Sequence, residues 1–197
     1  MNQKEKLIEA SRVGDLVLVK SLLKEDFSIH ANEEALRNSA YNGHLEVVKY
    51  LIENGVDIHA RNDYALRLAS YNGHIEMVKY LVEKGADIHA SNDEALRWST
   101  LQVHLEIVKY LIKKGANIHA RNDEILKTAI KNGDLKTIKY FLFDCQMKIK
   151  QKTKDWLIEN NQKVVLDLIE KRDLLLKLDK DIIPKDSINN LGKKVKI

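Results

Sequence analysis

Asn32, Asn62, Asn92 and Asn122 stand 30 residues apart, and Tyr50, Tyr80, Tyr110 and Tyr140 keep the same interval. A fixed period between about 20 and 50 residues marks an array of stacked supersecondary units, each too small to bury its apolar face alone. The chain must therefore fold as a repeat array with a shared linear core.

The segment from Asn62 to Ser91 defines the unit. Leu66 and Ala69 mark one short apolar face, and Ile75, Val78, Leu81 and Val82 mark a second at helical spacing. Two helices are predicted, with Asn62 as the N-cap of the first and Asp63 in its first turn, where a carboxylate complements the helix dipole. Gly73 and Gly85 close the two helices, since glycine takes the left-handed conformation without steric cost. Residues 86–91 are expected to run on as an extended loop with Ile88 turned inward. Helices shorter than about 12 to 15 residues are marginal alone, so stacking must supply the stability.

The period divides the chain. Repeats are expected over residues 1–150, in units of about 4–31, 32–61, 62–91, 92–121 and 122–150. Capping helices follow over 151–183, with Asn161 near the glycine position. Beyond Pro184, residues 184–197 form a polar, basic tail expected to be partly disordered. The unit from Asn92 is irregular: Trp98 replaces Leu68, and Val103 replaces Gly73. A β-branched residue resists the left-handed region, so this turn is either strained or reshaped.

The stretch NGHLEVVKYLIENGVDIHA, residues 42–60, resembles the second helix and loop of ankyrin repeats, and five such copies run from Lys4 to about residue 145. The resemblance implies an all-α ankyrin-repeat solenoid of stacked antiparallel helix pairs, non-catalytic, with a concave surface that binds proteins. Tyr64, Ala65, Leu66 and Arg67 stand where that family opens its first helix with Thr-Pro-Leu-His. The period falls short of the family's roughly 33 residues, which implies shortened finger loops. The wording IHA, ND and ALR is similar to that of short repeats encoded by giant viruses of amoebae, and implies a virus-infected host cell as the setting.

Seven histidines invite a metal or catalytic reading, yet all fall on the repeat grid: His30, His59, His89 and His119 at one position, His44, His74 and His104 at another. Equivalent positions in packed helices lie about 8 to 10 Å apart, whereas zinc–nitrogen bonds are about 2 Å long. The histidines are therefore assigned to structure, and no metal, cofactor or catalytic residue is expected. The sequence has no GxxxxGK, GxGxxG, GxSxG or HExxH motif, and Cys145 is read as inert. The order of Glu33 and Arg37, Asp63 and Arg67, Asp93 and Arg97, and Asp123 and Lys127 predicts a ladder of i,i+4 ion pairs along the first helices. The row Tyr50, Tyr80, Tyr110 and Tyr140 is expected to pack between units with its hydroxyls at the solvent edge.

Hydrophobic residues make up 44% of the chain and charged ones 31%, with no apolar run of membrane-spanning length. One cysteine and no secretory signal favour the cytoplasm or nucleus. Residues 148–197 hold 13 basic against 8 acidic groups, leaving 20 against 21 in the repeats. Nucleic-acid or anionic-membrane binding through Lys148, Lys150, Lys152, Lys154, Lys193, Lys194 and Lys196 is thus the alternative, disfavoured for want of a recognition motif. The leading expectation is a monomer that binds an unidentified protein through positions that vary while the framework stays fixed: Tyr41, Arg61, Tyr64, Tyr71, Trp98, Leu101, Arg121 and Lys131.

Overall fold

The computed structural model describes residues 2–23 and 29–182, with the side chains of 29, 30 and 179–182 left aside. The His30 side chain and the tail over residues 184–197 therefore lie outside what is described. The described residues are helical with no strand, and they fall into pairs: α1 (Gln3–Val13) with α2 (Leu16–Leu22), α3 (Ile29–Asn42) with α4 (Leu45–Glu53), α5 (Ala60–Tyr71) with α6 (Ile75–Glu83), α7 (Ala90–Leu101) with α8 (Leu105–Lys113), α9 (Ala120–Lys131) with α10 (Leu135–Lys139), and α11 (Gln151–Glu159) with α12 (Lys163–Ile182). The chain divides into two compact units, residues 1–137 and 138–197.

In the first unit the odd-numbered helices pack in chain order, α1 on α3, α3 on α5, α5 on α7 and α7 on α9. Small side chains allow this. Ala65, Ala69 and Ser70 are buried in α5, and Ala95, Ser99 and Thr100 repeat the pattern in α7. The buried hydroxyls of Ser70 and Thr100 return to their own helix, Ser70 to the Leu66 carbonyl at 2.8 Å and Thr100 to the Leu96 carbonyl at 2.9 Å, so neither is left dry. The even-numbered helices bury larger groups at equivalent positions: Val47, Val48 and Leu51; Met77, Val78 and Leu81; Ile107, Val108 and Leu111. Each fully buried side chain of this size contributes about 1.5 to 3 kcal/mol, which short helices cannot gain alone.

The turn within each pair is left-handed at Gly73, whose φ is +81°, with the His74 N–H bonded to the Ala69 carbonyl at 3.0 Å. Val103 keeps the same turn at φ +63°, and the His104 N–H reaches the Ser99 carbonyl at 2.8 Å. Of the two outcomes open at this position, the structure shows strain rather than reshaping.

The connection between pairs differs from the expected extended loop. After Gly85 the chain makes a turn in which the Asp87 carboxylate accepts the His89 N–H at 2.8 Å and the Asp87 carbonyl accepts the Ala90 N–H at 3.2 Å. Ala86 and Ala90 are the buried residues here, and Ile88 is only half-buried. Nor is Asn62 an N-cap: Arg61, Asn62 and Asp63 all take left-handed conformations, with φ of +53°, +58° and +54°. The same three positions repeat at Ser91–Asp93 and Arg121–Asp123.

The second unit opens with a π-helical turn, Tyr140–Asp144, that continues α10 and buries Phe141 and Leu142. Asn161 is left-handed at φ +54° between α11 and α12, in the role glycine plays earlier. Leu157, Val165 and Ile169 are buried here, and the buried Arg172 donates to the Met147 carbonyl at 2.5 Å and to Asp173.

Candidate binding face

The histidines have structural partners. His44, His74 and His104 donate from Nε2 to the carbonyls of Arg12, Tyr41 and Tyr71, at 2.9, 3.0 and 3.0 Å, each holding the end of the preceding first helix. Their rings lie over glycine: a β-carbon on Gly43 would sit 2.7 Å from the His74 ring, and one on Gly73 would sit 2.7 Å from that of His104. The other set bonds to buried aspartates, His59 to Asp63 at 2.9 Å, His89 to Asp93 at 2.9 Å and His119 to Asp123 at 2.6 Å, each from Nδ1.

At Asp63 and Asp93 other partners take the place of the expected intrahelical pairs with Arg67 and Arg97. The Asp63 carboxylate accepts the Asp87 N–H of the next loop at 2.9 Å, and Asp93 accepts the Asn117 N–H at 2.7 Å. A short carboxylate committed to a histidine and a backbone amide in the interior is not the partner of an arginine one turn on. The arginines instead bridge units or neighbouring turns. Arg67 pairs with Glu94, and Arg97 lies 3.2 Å from Glu124 and 3.6 Å from Glu94. Arg37 pairs with Glu34 at 3.0 Å.

This ion-pair row supports an aromatic cluster on the first helices. The Trp98 ring meets Tyr71 at 5.6 Å and Tyr64 at 6.3 Å between centroids, both edge-to-face. The Arg67 guanidinium lies 4.6 Å from the Tyr64 centroid and 5.6 Å from that of Trp98, and donates to the Arg61 carbonyl at 3.0 Å. Tyr64, Tyr71 and Trp98 are thus brought together, half-buried. Tyr41 and Leu101 stand more open, at 49% and 46% exposure. Arg61, Arg121 and Lys131 are also exposed, and Arg121 reaches Glu124 at 3.8 Å. The inter-unit links of Arg67 and Arg97 to Glu94 and Glu124, which hold this cluster, were not visible in the sequence. Val103 beside the cluster adds apolar surface at 48% exposure.

In the tyrosine row on the second helices, Tyr80 and Tyr110 depart from expectation. The hydroxyls of Tyr80 and Tyr110 are buried and find no hydrogen-bond partner, although their rings are half-exposed. Desolvation, reinforced by the Glu53 carboxylate at Tyr80 and by Glu83 at Tyr110, raises both phenol pKa values. Lys84 and Lys114 lie over these rings at 5.7 and 5.6 Å. Burial also raises the Cys145 thiol, which opposes thiolate chemistry. Among the described residues no cluster of metal-ligating side chains occurs, and no helix is long and apolar enough to cross a membrane.

Of the lysines in the basic alternative, Lys148 and Lys150 precede α11, and Lys152 and Lys154 lie on it, Lys154 3.9 Å from Asp173. Lys193, Lys194 and Lys196 fall outside the described residues.

Two family models match the chain, one of ankyrin repeats in three copies over residues 7–92 and one of ankyrin repeats in many copies over residues 102–142. The chain is also similar to an ankyrin repeat protein of Acanthamoeba polyphaga mimivirus, with 41% identity over 58 residues. That stretch covers 29% of this chain and 20% of the viral protein.

Proposed function

Because this chain belongs to the ankyrin-repeat family, whose members are generally protein–protein interaction modules, we propose that it is a non-catalytic module binding a protein partner through the face of its first helices. The Tyr64–Tyr71–Trp98 cluster carries this reading. Tyrosine, tryptophan and arginine supply most binding energy at interfaces, because they present large rigid area at small entropic cost. Here the rings are pre-organised by Arg67 and flanked by open apolar surface at Tyr41, Leu101 and Val103. Arg61, Arg121 and Lys131 add exposed polar heads at the rim, two of them beside glutamates, Arg61 3.9 Å from Glu33 and Arg121 3.8 Å from Glu124. The resemblance to a viral protein favours an amoebal host cell as the place to look.

The experiment is comparative capture from amoebal lysate. Immobilised wild type, a Trp98→Leu/Leu101→Ser variant and a second-helix control, Glu83→Gln, are run side by side. A protein retained by wild type and control but lost from the face variant supports the reading. Equal capture by all three overturns it.

A further inference from the structure

Helix α12 carries two apolar stripes, and its own unit uses only one. Val165, Ile169 and Arg172 face inward and are buried. One position round, Val164, Leu168, Lys171, Leu175 and Leu178 recur at intervals of four, three, four and three residues. Val164, Leu174, Leu175 and Leu178 are 61%, 58%, 44% and 45% exposed. Among the described residues no other helix leaves more than two large apolar side chains so open. Alternating steps of three and four give this helix a narrow apolar seam, a surface suited to packing against another helix.

We propose that this seam joins α12 to α12 of a second copy of the chain in an antiparallel, two-fold pair. The orientation follows from charge. In a parallel, in-register pair Lys171 would face Lys171 across the seam, two like charges in a drying interface. Antiparallel pairing sets Lys171 against Leu175 of the second copy, and Leu168 against Leu178. Leu174, beside the seam, meets its own equivalent near the two-fold axis. Asp167 stands one turn before Lys171, the order in which carboxylate and ammonium attract on a helix, so the lysine can turn its charge outward. A two-fold contact requires one patch to be complementary to itself, and this stripe meets that condition with leucine on leucine. The proposed dimer departs from the monomer expected from sequence.

Sedimentation equilibrium on the full chain tests this. Wild type should reach twice the 22.7 kDa chain mass as concentration rises. Leu174→Asp/Leu178→Asp should lose the dimer and keep its helical circular dichroism, since both side chains are exposed in the single copy. In a Cys145→Ser background, Leu174→Cys should form a covalent dimer on mild oxidation, and Lys163→Cys should not. If the aspartate variant fails to fold, the cysteine pair decides alone. A wild type of single-chain mass at all concentrations, a dimer that survives the aspartates, or equal cross-linking from Lys163→Cys each overturns the proposal.

Discussion

Asn132 donates from Nδ2 to the Leu101 carbonyl at 2.8 Å, filling the place that His104 fills on the Tyr71 carbonyl one unit earlier. The exchange has a cause in the neighbouring turn. Where Gly14, Gly43 and Gly73 occupy it, a histidine ring from the next unit closes over the glycine. Where Val103 occupies it, the corresponding residue of the next unit is Asp134. The β-carbon and the imidazole exclude one another, so the loss of glycine and the loss of histidine belong together.

Val103→Gly should therefore stabilise the fold by about 1 kcal/mol, from release of the left-handed clash less the larger chain entropy of unfolded glycine. Gly73→Val should destabilise by considerably more, because the His104 ring leaves no room for the new side chain. Asp134→His should be tolerated only beside Val103→Gly. Urea melts of the single and double variants measure all three, and additive effects of Val103→Gly and Asp134→His would refute the coupling.

Asp93 is a second test, because its carboxylate joins His89 on one side to the Asn117 N–H of the next loop on the other. Asp93→Ala leaves a loop amide and an imidazole without their acceptor, at a cost of about 1 to 3 kcal/mol for each group kept from water. The Asn117 amide should exchange with solvent much faster, while amides of α1 stay protected. Uniform loss of protection along the repeats would show that the link is not local.

The helix pairs were legible because their signals are local: apolar residues at helical spacing within each short segment, glycine after most of the helices, and Asn161 standing in for glycine at φ +54°. The left-handed run at 61–63 was not, because the bond that fixes Asp63 comes from Asp87, 24 residues on. Asp63 and Arg67 stand four apart in the order that stabilises an isolated helix, and stacking overrides it. Arg67 instead finds Glu94, 27 residues ahead. The meeting of glycine with histidine was visible in principle, since both follow the period and fail in register. Tyr64, Tyr71 and Trp98 were readable as positions where the units differ, whereas their convergence required the stack.

Tyr110→Phe should leave stability unchanged or slightly raised, because the hydroxyl is buried without a partner and its removal relieves that penalty. Burial and Glu83 raise the folded-state phenol pKa, so the neutral form is favoured in the folded chain. The unfolded chain releases this proton first, near pH about 10. The contribution is therefore complete below that pH and declines as pH rises through the folded value. A Tyr80→Phe/Tyr110→Phe variant should show a shallower loss of stability between neutral and alkaline pH than wild type. Parallel alkaline profiles would contradict this.

Trp98→Leu restores the residue type found one unit earlier at Leu68, so the backbone of α7 has no reason to change. What disappears is the ring that meets Tyr71 and Tyr64 edge-to-face and lies near the Arg67 guanidinium. Edge-to-face pairs contribute about 0.5 to 1.5 kcal/mol beyond burial. The substitution should therefore lower stability by about 1 to 2 kcal/mol, and a Tyr71→Leu/Trp98→Leu cycle should show coupling of about 1 kcal/mol. Tyr41→Ala provides the contrast, since its side chain is half open to solvent and its removal should leave the melt unchanged. If the first-helix face is the binding surface, both variants lose partner capture although only one loses stability. Retained capture by Tyr41→Ala and Trp98→Leu alike would mean that the cluster only packs the stack.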